Sequence, residues 1–395
     1  MKKAAAPMSS DLTCGPGGSR HSSLLPPPML SWSGPAEVSI GEADSLSHPP
    51  PVVAAGEAAE IAARLFGVTG NFRPLVSERD ANFHIGLADG SQALLKISNE
   101  CEPGPITEMQ SLALIHLAGS DPGLPVQRIC QTLQGQPWER ITLASGTSHL
   151  CRLLTWVEGT MLHAATPAPG LYDGIGSLLA RLSRALRGLF HPAAGHHLQW
   201  DIKQAGALRP MLASVADPAL RARLSRHIDH FDAEIAPRLP QLRAQLVHND
   251  LNPHNIVVDG PLARRPSGII DFGDMVHTAL ACDLAIACSY HIGSGTDPLN
   301  QVAALVAGYH RILPLEGDEI DLLPALIRLR HVTTLTITSW RAARYPENAA
   351  YILRNAPRSL QGLAVIDETG PSRAALYLRD ALMREPPGAA CCASR

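Results

Sequence analysis

The residues best suited to chemistry are His248-Asn249-Asp250-Leu251-Asn252-Pro253-His254-Asn255, followed by Asp271-Phe272-Gly273. The spacing His-x-Asp-x-x-x-x-Asn, with a later Asp-Phe-Gly, is that of a phosphoryl-transfer site. Such a reaction needs a carboxylate beside the acceptor hydroxyl, and an amide oxygen and a second carboxylate to hold metal against a triphosphate. Asp250 fits the first role, Asn255 and Asp271 the other two. Any one of these residues in a Pro-containing loop is more often a turn former than a ligand. Their joint register carries the reading. His248 reads as a buried scaffold for the loop, and His254 and His277 as structural or pocket-lining. Asp283 reads as a helix cap that braces the catalytic loop. Asp274 stays open between metal, substrate and solvent.

Three elements must position this loop: the short strands Leu246-Val247, Ile256 to Val258 and Gly268 to Ile270. Upstream, Phe83 to Ala88 and Ser91 to Ile97 flank Asp89-Gly90 and read as a hairpin on a two-residue turn. That register sets Phe83 opposite Lys96 and Ile85 opposite Leu94, on a face able to roof a purine and aim an ammonium at its phosphates. Lys96 is conspicuous because, outside the first three residues, only Lys203 joins it in a chain that otherwise uses Arg. Taken alone, it is as readily a strand-edge lysine whose head reaches water. Glu108, opening the helical pattern Met109, Leu112 and Ile115, is the expected carboxylate partner of Lys96. Glu102, beside Pro103 and Pro105, and Glu100 are the rivals.

The loop Ser77 to Asn82 lacks a glycine-rich phosphate motif, but its small polar residues can leave backbone amides free to cover phosphates. Ser77, Asn82 and Phe83 are therefore nucleotide-site candidates. The apolar run Cys151 to Val157 reads as the strand leading to a second lobe, with Leu154 to Val157, including Thr155 and Trp156, as a hinge facing the base. Downstream, Leu171 to Leu189, Leu212 to Phe231 and Leu322 to Trp340 follow a helical period. Trp200-Asp201, Trp340 and Tyr345 are candidates for a cation-accepting pocket, although helix packing and capping are the more ordinary reading of each.

The 395 residues, net charge of −3 and pI near 6.6 carry no electrostatic footprint for nucleic acid or an anionic membrane. No apolar run is long enough for a membrane span and no secretory signal is evident, so a cytoplasmic protein is expected. The scattered cysteines show no metal spacing and read as reduced; Cys282 and Cys288 fit a buried apolar stretch, Cys391 and Cys392 an exposed tail. The expected organisation is a Pro/Ser/Gly-rich disordered tail over 1–50, a nucleotide-binding N-lobe over 51–158, a C-lobe with catalytic loop and substrate pocket over 159–384, and a loose tail over 385–395. Met8 and Met29 are alternative initiators. Oligomeric state is not legible.

From about Val53 to Ile366 the chain resembles the aminoglycoside phosphotransferase superfamily, within it the hydroxylysine kinase-like branch. The resemblance rests on Ser77 to Phe83, Leu94 to Asn99, Arg152 to Trp156, the catalytic loop, and Asp271 to His277. It implies an α+β, bilobal protein-kinase-like fold, with a small N-terminal antiparallel-sheet lobe and a larger, mainly helical C-terminal lobe. It further implies that Asp250 orients or deprotonates the acceptor hydroxyl and that Asn255 and Asp271 hold Mg2+. Lys96 would pair with the α and β phosphates of ATP or GTP, held by Glu108. The implied acceptor is a small hydroxylated, amine-bearing metabolite, an amino alcohol or hydroxy amino acid. An aminoglycoside or homoserine kinase and a catalytically inactive kinase-like binding module are the alternatives. A protein kinase is disfavoured because the chain after Asp271 soon enters an apolar helix near Asp283, leaving no room for an activation segment. Asn249 stands where the family usually has Gly, which implies either a narrowed acceptor site or an unusual backbone angle.

Overall fold

The computed structural model describes residues 49–383 except Glu78. The tails expected over 1–50 and 385–395, with Cys391 and Cys392, therefore lie almost wholly outside the described residues. The described chain forms an antiparallel-sheet lobe followed by a mainly helical one.

Helix α1 (Ala55–Phe66) buries Ala58, Ile61, Ala62, Leu65 and Phe66, a stripe set by the 3.6-residue repeat. It ends where Gly67 turns left-handed at φ 67°. The stripe packs on one face of a sheet built from β1 (Asn71–Leu75), β2 (Ala81–Gly86), β3 (Gln92–Ile97), β4 (Ile129–Cys130), β5 (Glu139–Thr142) and β6 (Ser148–Thr155). The order is β1-β2-β3-β6-β4, with β5 also on β6. Phe83, Ile85, Ala93, Leu95, Ile97, Cys151 and Leu153 supply the buried face.

The β2–β3 register corrects the expectation. Leu87 N–H donates to Ser91 O, and Gly90 N–H returns to Leu87 O with Gly90 at φ 85°. The turn therefore holds Ala88, Asp89 and Gly90, not Asp89-Gly90 alone. Lys96 accordingly pairs with Asn82, Phe83 with Leu95, and Ile85 with Ala93. One residue of slip exchanges the two faces, so Phe83 belongs to the core under α1 and Asn82 shares the cleft face with Lys96.

Helix α2 (Gly104–Ser120) begins earlier than Met109 because Pro105 sits at its open N-terminal turn, where a missing N–H costs nothing. The chain crosses lobes through β7 (Thr160–Met161) and β8 (Thr166–Pro167) into α3 (Leu171–Ala185). The single helix expected over Leu212 to Phe231 is divided. A 3-10 helix spans Ile202–Ser214, and α4 (Pro218–His230) starts anew where Asp217 accepts from Ala219 N–H at 2.9 Å. The Asp-Pro pair is a helix start, and it overrides the apolar period.

The platform under the catalytic loop consists of β9 (Ala244–Val247), β10 (Ile256–Val258), β11 (Leu262–Ala263), β12 (Pro266–Ile269) and β13 (Val276–Ala279). They make small sheets, β12-β10-β7 and β13-β9 among them. Helices α5 (Leu280–Ser289), α6 (Asn300–Ile312), α7 (Gly317–Arg344), α8 (Ala349–Ile352), α9 (Ala356–Thr369) and α10 (Pro371–Met383) complete the lobe. α5 is buried along its whole length, with Cys282 and Cys288 as burial-hardened free thiols. α7 runs through the core for 28 residues. Among the described residues no helix is long and apolar enough to cross a membrane.

Candidate active site

A cavity of about 690 Å³ lies between the lobes, lined by Lys96 from β3, Asp250 and Asn255 from the loop after β9, and Asp271 from the end of β12. The catalytic loop is held from three sides. Asp250 N–H donates to His248 Nδ1 at 3.2 Å, and His248 Nε2 bonds Ile270 O at 3.0 Å. With Nδ1 accepting, Nε2 must carry the proton, so a buried neutral imidazole ties Asp250 to the strand that presents Asp271. From below, Asp283 accepts the Asn249 N–H at 2.7 Å. Asp283 does brace the loop, but it does not cap its helix: the cap position is Ala279.

Asn249 and Asp271 are the positive-φ non-glycine residues among the described residues, at 65° and 63°. Asn249 is fully buried, does not line the cavity, and has no hydrogen-bond partner for either side-chain amide atom. Its role is thus the backbone angle that turns Asp250 toward the cavity, a position Gly would fill without strain.

Asp250 accepts on both oxygens. Oδ2 takes Asn252 Nδ2 at 2.8 Å and Asn255 Nδ2 at 2.9 Å; Oδ1 takes the Arg330 guanidinium at 3.1 Å. Burial and the neighbouring Asp274 charge push its pKa up to about 7, against the pull of Arg330. A carboxylate poised there suits a general base working near neutral pH.

Asn255 Nδ2 also donates to Asp250 O at 2.9 Å, so the amide nitrogen is committed and Oδ1 remains as the oxygen a metal can use. The Lys96 ammonium, against the cost of burial, holds the Asp271 carboxyl down at about 2. Its side chain is 50 % exposed to the cavity. One amide oxygen and one ionised carboxylate, leaving most positions to phosphates and water, is a donor set that fits Mg2+.

Lys96 Nζ lies 2.9 Å from Asp80 Oδ2 and 3.5 Å from Asp271 Oδ1. Burial disfavours the ammonium, yet Asp80 and then Asp271 outweigh it and raise its pKa. Asp80 is anchored in turn by Asn99 N–H at 3.1 Å. The expected partner Glu108 lies elsewhere, in a separate shallow depression with Trp138 and Arg140. Because α2 begins at Gly104, Glu108 falls on the helix face turned away from Lys96. The rival Glu102 does line the cavity, where burial raises its pKa and Thr107 Oγ1 donates to it at 2.7 Å.

Ser77, Asn82, Trp156 and Val157 line the cavity, whereas Phe83 and Thr155 do not. Thr155 instead locks the end of β6: its Oγ1 accepts Arg128 N–H at 2.9 Å and its N–H donates to Arg128 O at 2.9 Å. Trp156 N–H donates to Gln92 O at 3.4 Å, so neither N–H is offered to a base. Asp274, left open above, is buried and ion-paired with Arg79. Of the cation-pocket candidates, Trp200 alone lines the cavity, and its ring already carries the Arg330 guanidinium at 5.2 Å. Asp201 caps the 3-10 helix by accepting from Lys203 N–H at 3.1 Å, and Trp340 stacks with Arg344. His254 stacks on His163 at the cavity rim, ring centroids 4.0 Å apart.

Asp80, Arg330 and Tyr290 are site residues the sequence reading missed. Asp80 had a local signal, standing two residues before the cross-strand neighbour of Lys96. Arg330 had a weaker one, as a charge in the apolar run Leu322 to Val332.

A family model described as "phosphotransferase enzyme family" matches residues 71–323. A hydroxylysine kinase of Danio rerio is 28 % identical over 334 residues, covering 81 % of this chain and 93 % of its own. Among solved structures, a microcompartment-associated aminopropanol kinase superposes with TM-score 0.60 at 19 % identity, covering 82 % of this chain and 98 % of its own. An amicoumacin kinase in complex with AMP-PNP and Ca2+ superposes with TM-score 0.58 at 16 % identity, covering 79 % and 93 %. These likenesses establish the bilobal kinase-like fold.

Proposed function

The chain belongs to the phosphotransferase enzyme family and is a phosphotransferase with an alcohol group as acceptor; we propose that it moves the γ-phosphoryl of Mg2+-bound ATP or GTP onto a hydroxyl of an amino alcohol or hydroxy amino acid. The observation that carries this reading is the convergence of Lys96, Asp250, Asn255 and Asp271 on one cavity. The relatives' names, hydroxylysine kinase and aminopropanol kinase, support a small hydroxylated amine as acceptor.

In the proposed reaction Lys96, held by Asp80, faces the α and β phosphates, with Ser77, Asn82, Trp156 and Val157 around the nucleotide. Asn255 and Asp271 would hold the metal, which would supply neutralisation of phosphate charge. Asp250 accepts the acceptor's hydroxyl proton as the new oxygen–phosphorus bond forms and the bond to the β-phosphate oxygen breaks; the nucleoside diphosphate departs. Arg330 keeps Asp250 ionised for that step. An inactive binding module is disfavoured because none of these groups is replaced, and a protein kinase because β13 and α5 follow Asp271 at once. The reading includes a cytoplasmic location, where such donors are supplied.

A coupled nucleotide-diphosphate assay against hydroxylated amines, hydroxy amino acids and aminoglycosides, with ATP and with GTP, tests the proposal. Acceptor-dependent diphosphate release with a hydroxylated amine supports it; none with any acceptor overturns it.

A further inference from the structure

A second cation, Arg79, reaches the phosphate end of the cavity from the loop before β2. It lines the cavity together with Lys96, Asp250, Asp271 and Asp274. Its Nη2 pairs with Asp274 Oδ1 across 195 residues of sequence, which joins the loop before β2 to the chain just after Asp271. Two more side chains grip the same short segment. Lys96 of β3 approaches Asp271 at 3.5 Å, and Gln110 of α2 donates through Nε2 to Gly273 O at 3.1 Å. The backbone carrying Asp271 is thus set by contacts from three separate elements, and Arg79 brings a full positive charge with it.

A carboxylate engages at most two of the five N–H donors of a guanidinium. Among the described residues Asp274 is the group that Arg79 bonds, so donors are left over. The Arg79 side chain keeps 22 % exposure where it lines the cavity, against 9 % for Asp274. The pair therefore shows the cavity its cation more than its anion. Its position is equally specific. A methyl group added at Gly273 would meet Asp271 Oδ1 at 3.1 Å and Arg79 Nη2 at 3.6 Å, so these two atoms flank the same bare Cα. Asp274 in turn is the neighbouring charge that, after burial, pushes hardest on Asp250. The guanidinium accordingly stands between the carboxylate suited to metal and the carboxylate suited to a base. A phosphoryl group passing from nucleotide to acceptor crosses that gap.

We propose that Arg79 binds the γ-phosphoryl group during its transfer, its remaining N–H donors meeting the equatorial oxygens while Asp274 holds the guanidinium in place. The inference rests on the kinase reading above and adds a catalytic residue to it. Asp250 still takes the hydroxyl proton as the new oxygen–phosphorus bond forms and the bond to the β-phosphate oxygen breaks; Arg79 gives up no atom. Its part is electrostatic. In a loose transition state the charge spreads over three equatorial oxygens, and a planar fork fixed beside them stabilises that charge as an arginine finger does. Lys96, tied to Asp80 and Asp271, is left to the α and β phosphates. Asp274 is a positioning residue, because it fixes the guanidinium without supplying a donor.

The test is calorimetry with Mg2+, comparing ADP with AMP-PNP and GDP with GMP-PNP on wild type, Arg79→Gln, Arg79→Lys and Asp274→Asn, with folding checked by circular dichroism. In Arg79→Gln the preference for the triphosphate analogue over the diphosphate should fall at least about 10-fold, while diphosphate affinity stays within about 3-fold of wild type. With the best-used acceptor, kcat should drop about 10²- to 10³-fold and the acceptor KM should stay within about 3-fold. Arg79→Lys keeps the charge without the fork and should recover part of both losses; if Arg79→Gln does not fold, Arg79→Lys carries the test with the same signs. Asp274→Asn should keep most of the triphosphate preference, because Arg79 is intact. Equal loss of diphosphate and triphosphate affinity in Arg79→Gln overturns the inference and leaves Arg79 a latch on Asp274. So does an unmoved triphosphate preference in that variant, or an Asp274→Asn enzyme that reproduces its whole profile. Each of these leaves the kinase reading standing. A wild-type protein that binds no metal–nucleotide and phosphorylates no acceptor overturns the kinase reading and the inference together.

Discussion

Replacing Arg330 with Gln should move the acidic limb of the pH–rate profile upward. Asp250 titrates at about 7 because burial and Asp274 push up while Arg330, 3.1 Å from Oδ1, pulls down. Removing the guanidinium removes the stabilisation of the ionised form, so the folded-state pKa rises further. A unit charge at such range is worth up to about 4 kcal/mol at an effective dielectric near 20. Asp250 keeps 22 % of its side chain exposed, and neighbouring opposite charges typically move a carboxylate by about 1–3 units. A shift of about 1–2 units is therefore expected. Near pH 7 the ionised fraction, and with it kcat/KM for the acceptor, should drop roughly 5- to 50-fold, with most of the loss recovered above about pH 9. The assay is kcat/KM for the acceptor from about pH 6 to about pH 9.5 at fixed, saturating metal–nucleotide, so that any effect of the metal on Asp250 is common to both enzymes. Arg330→Lys keeps the charge and should hold the limb within about half a unit of wild type. A limb that stays put or moves to lower pH in Arg330→Gln would mean that Arg330 does not hold Asp250 ionised.

Three further outcomes follow from the same contacts. Asp80→Ala should raise the nucleotide KM at least about 10-fold and lower the melting temperature, because it breaks a buried ion pair, whereas Glu108→Ala should change KM by less than about 2-fold; equal effects would return Glu108 to the site. Asp271→Ala should abolish metal-dependent nucleotide binding, read by calorimetry with and without Mg2+. Asn249→Gly should stabilise the fold by about 1 kcal/mol in denaturant titration, since it relieves a left-handed non-glycine and removes two unpaired buried amide atoms; a loss of stability would mean the side chain packs usefully.

Asp250, Asn255 and Asp271 were legible because their geometry is local: a short loop and the strand that follows fix all three. What failed was register and reach. The hairpin turn holds three residues where the Asp89-Gly90 pair suggested two, and in a ribbon with period two that single residue sent Phe83 into the core and Asn82 to the cleft. Glu108 was placed by its distance downstream of Lys96, but the face it presents depends on where α2 begins, which a proline at the first turn disguises. Asp80 reaches Lys96 across the hairpin, and Arg330 meets Asp250 from 80 residues away through the packing of α7. No local pattern encodes the second contact. Arg330 sits in an apolar run whose periodicity speaks for burial, which is true, and is silent on what the buried charge faces.

In the proposed reaction Asp250 activates a hydroxyl for phosphoryl transfer in this cavity. Phosphorus NMR of wild-type protein and Asp250→Asn, each incubated with Mg2+, nucleoside triphosphate and a hydroxy amino acid, tests it most directly. A phosphomonoester resonance should grow with nucleoside diphosphate in the wild type. In Asp250→Asn the rate should fall by roughly 10²- to 10⁴-fold while nucleotide affinity is nearly unchanged. A phosphomonoester formed by Asp250→Asn at the wild-type rate would contradict it.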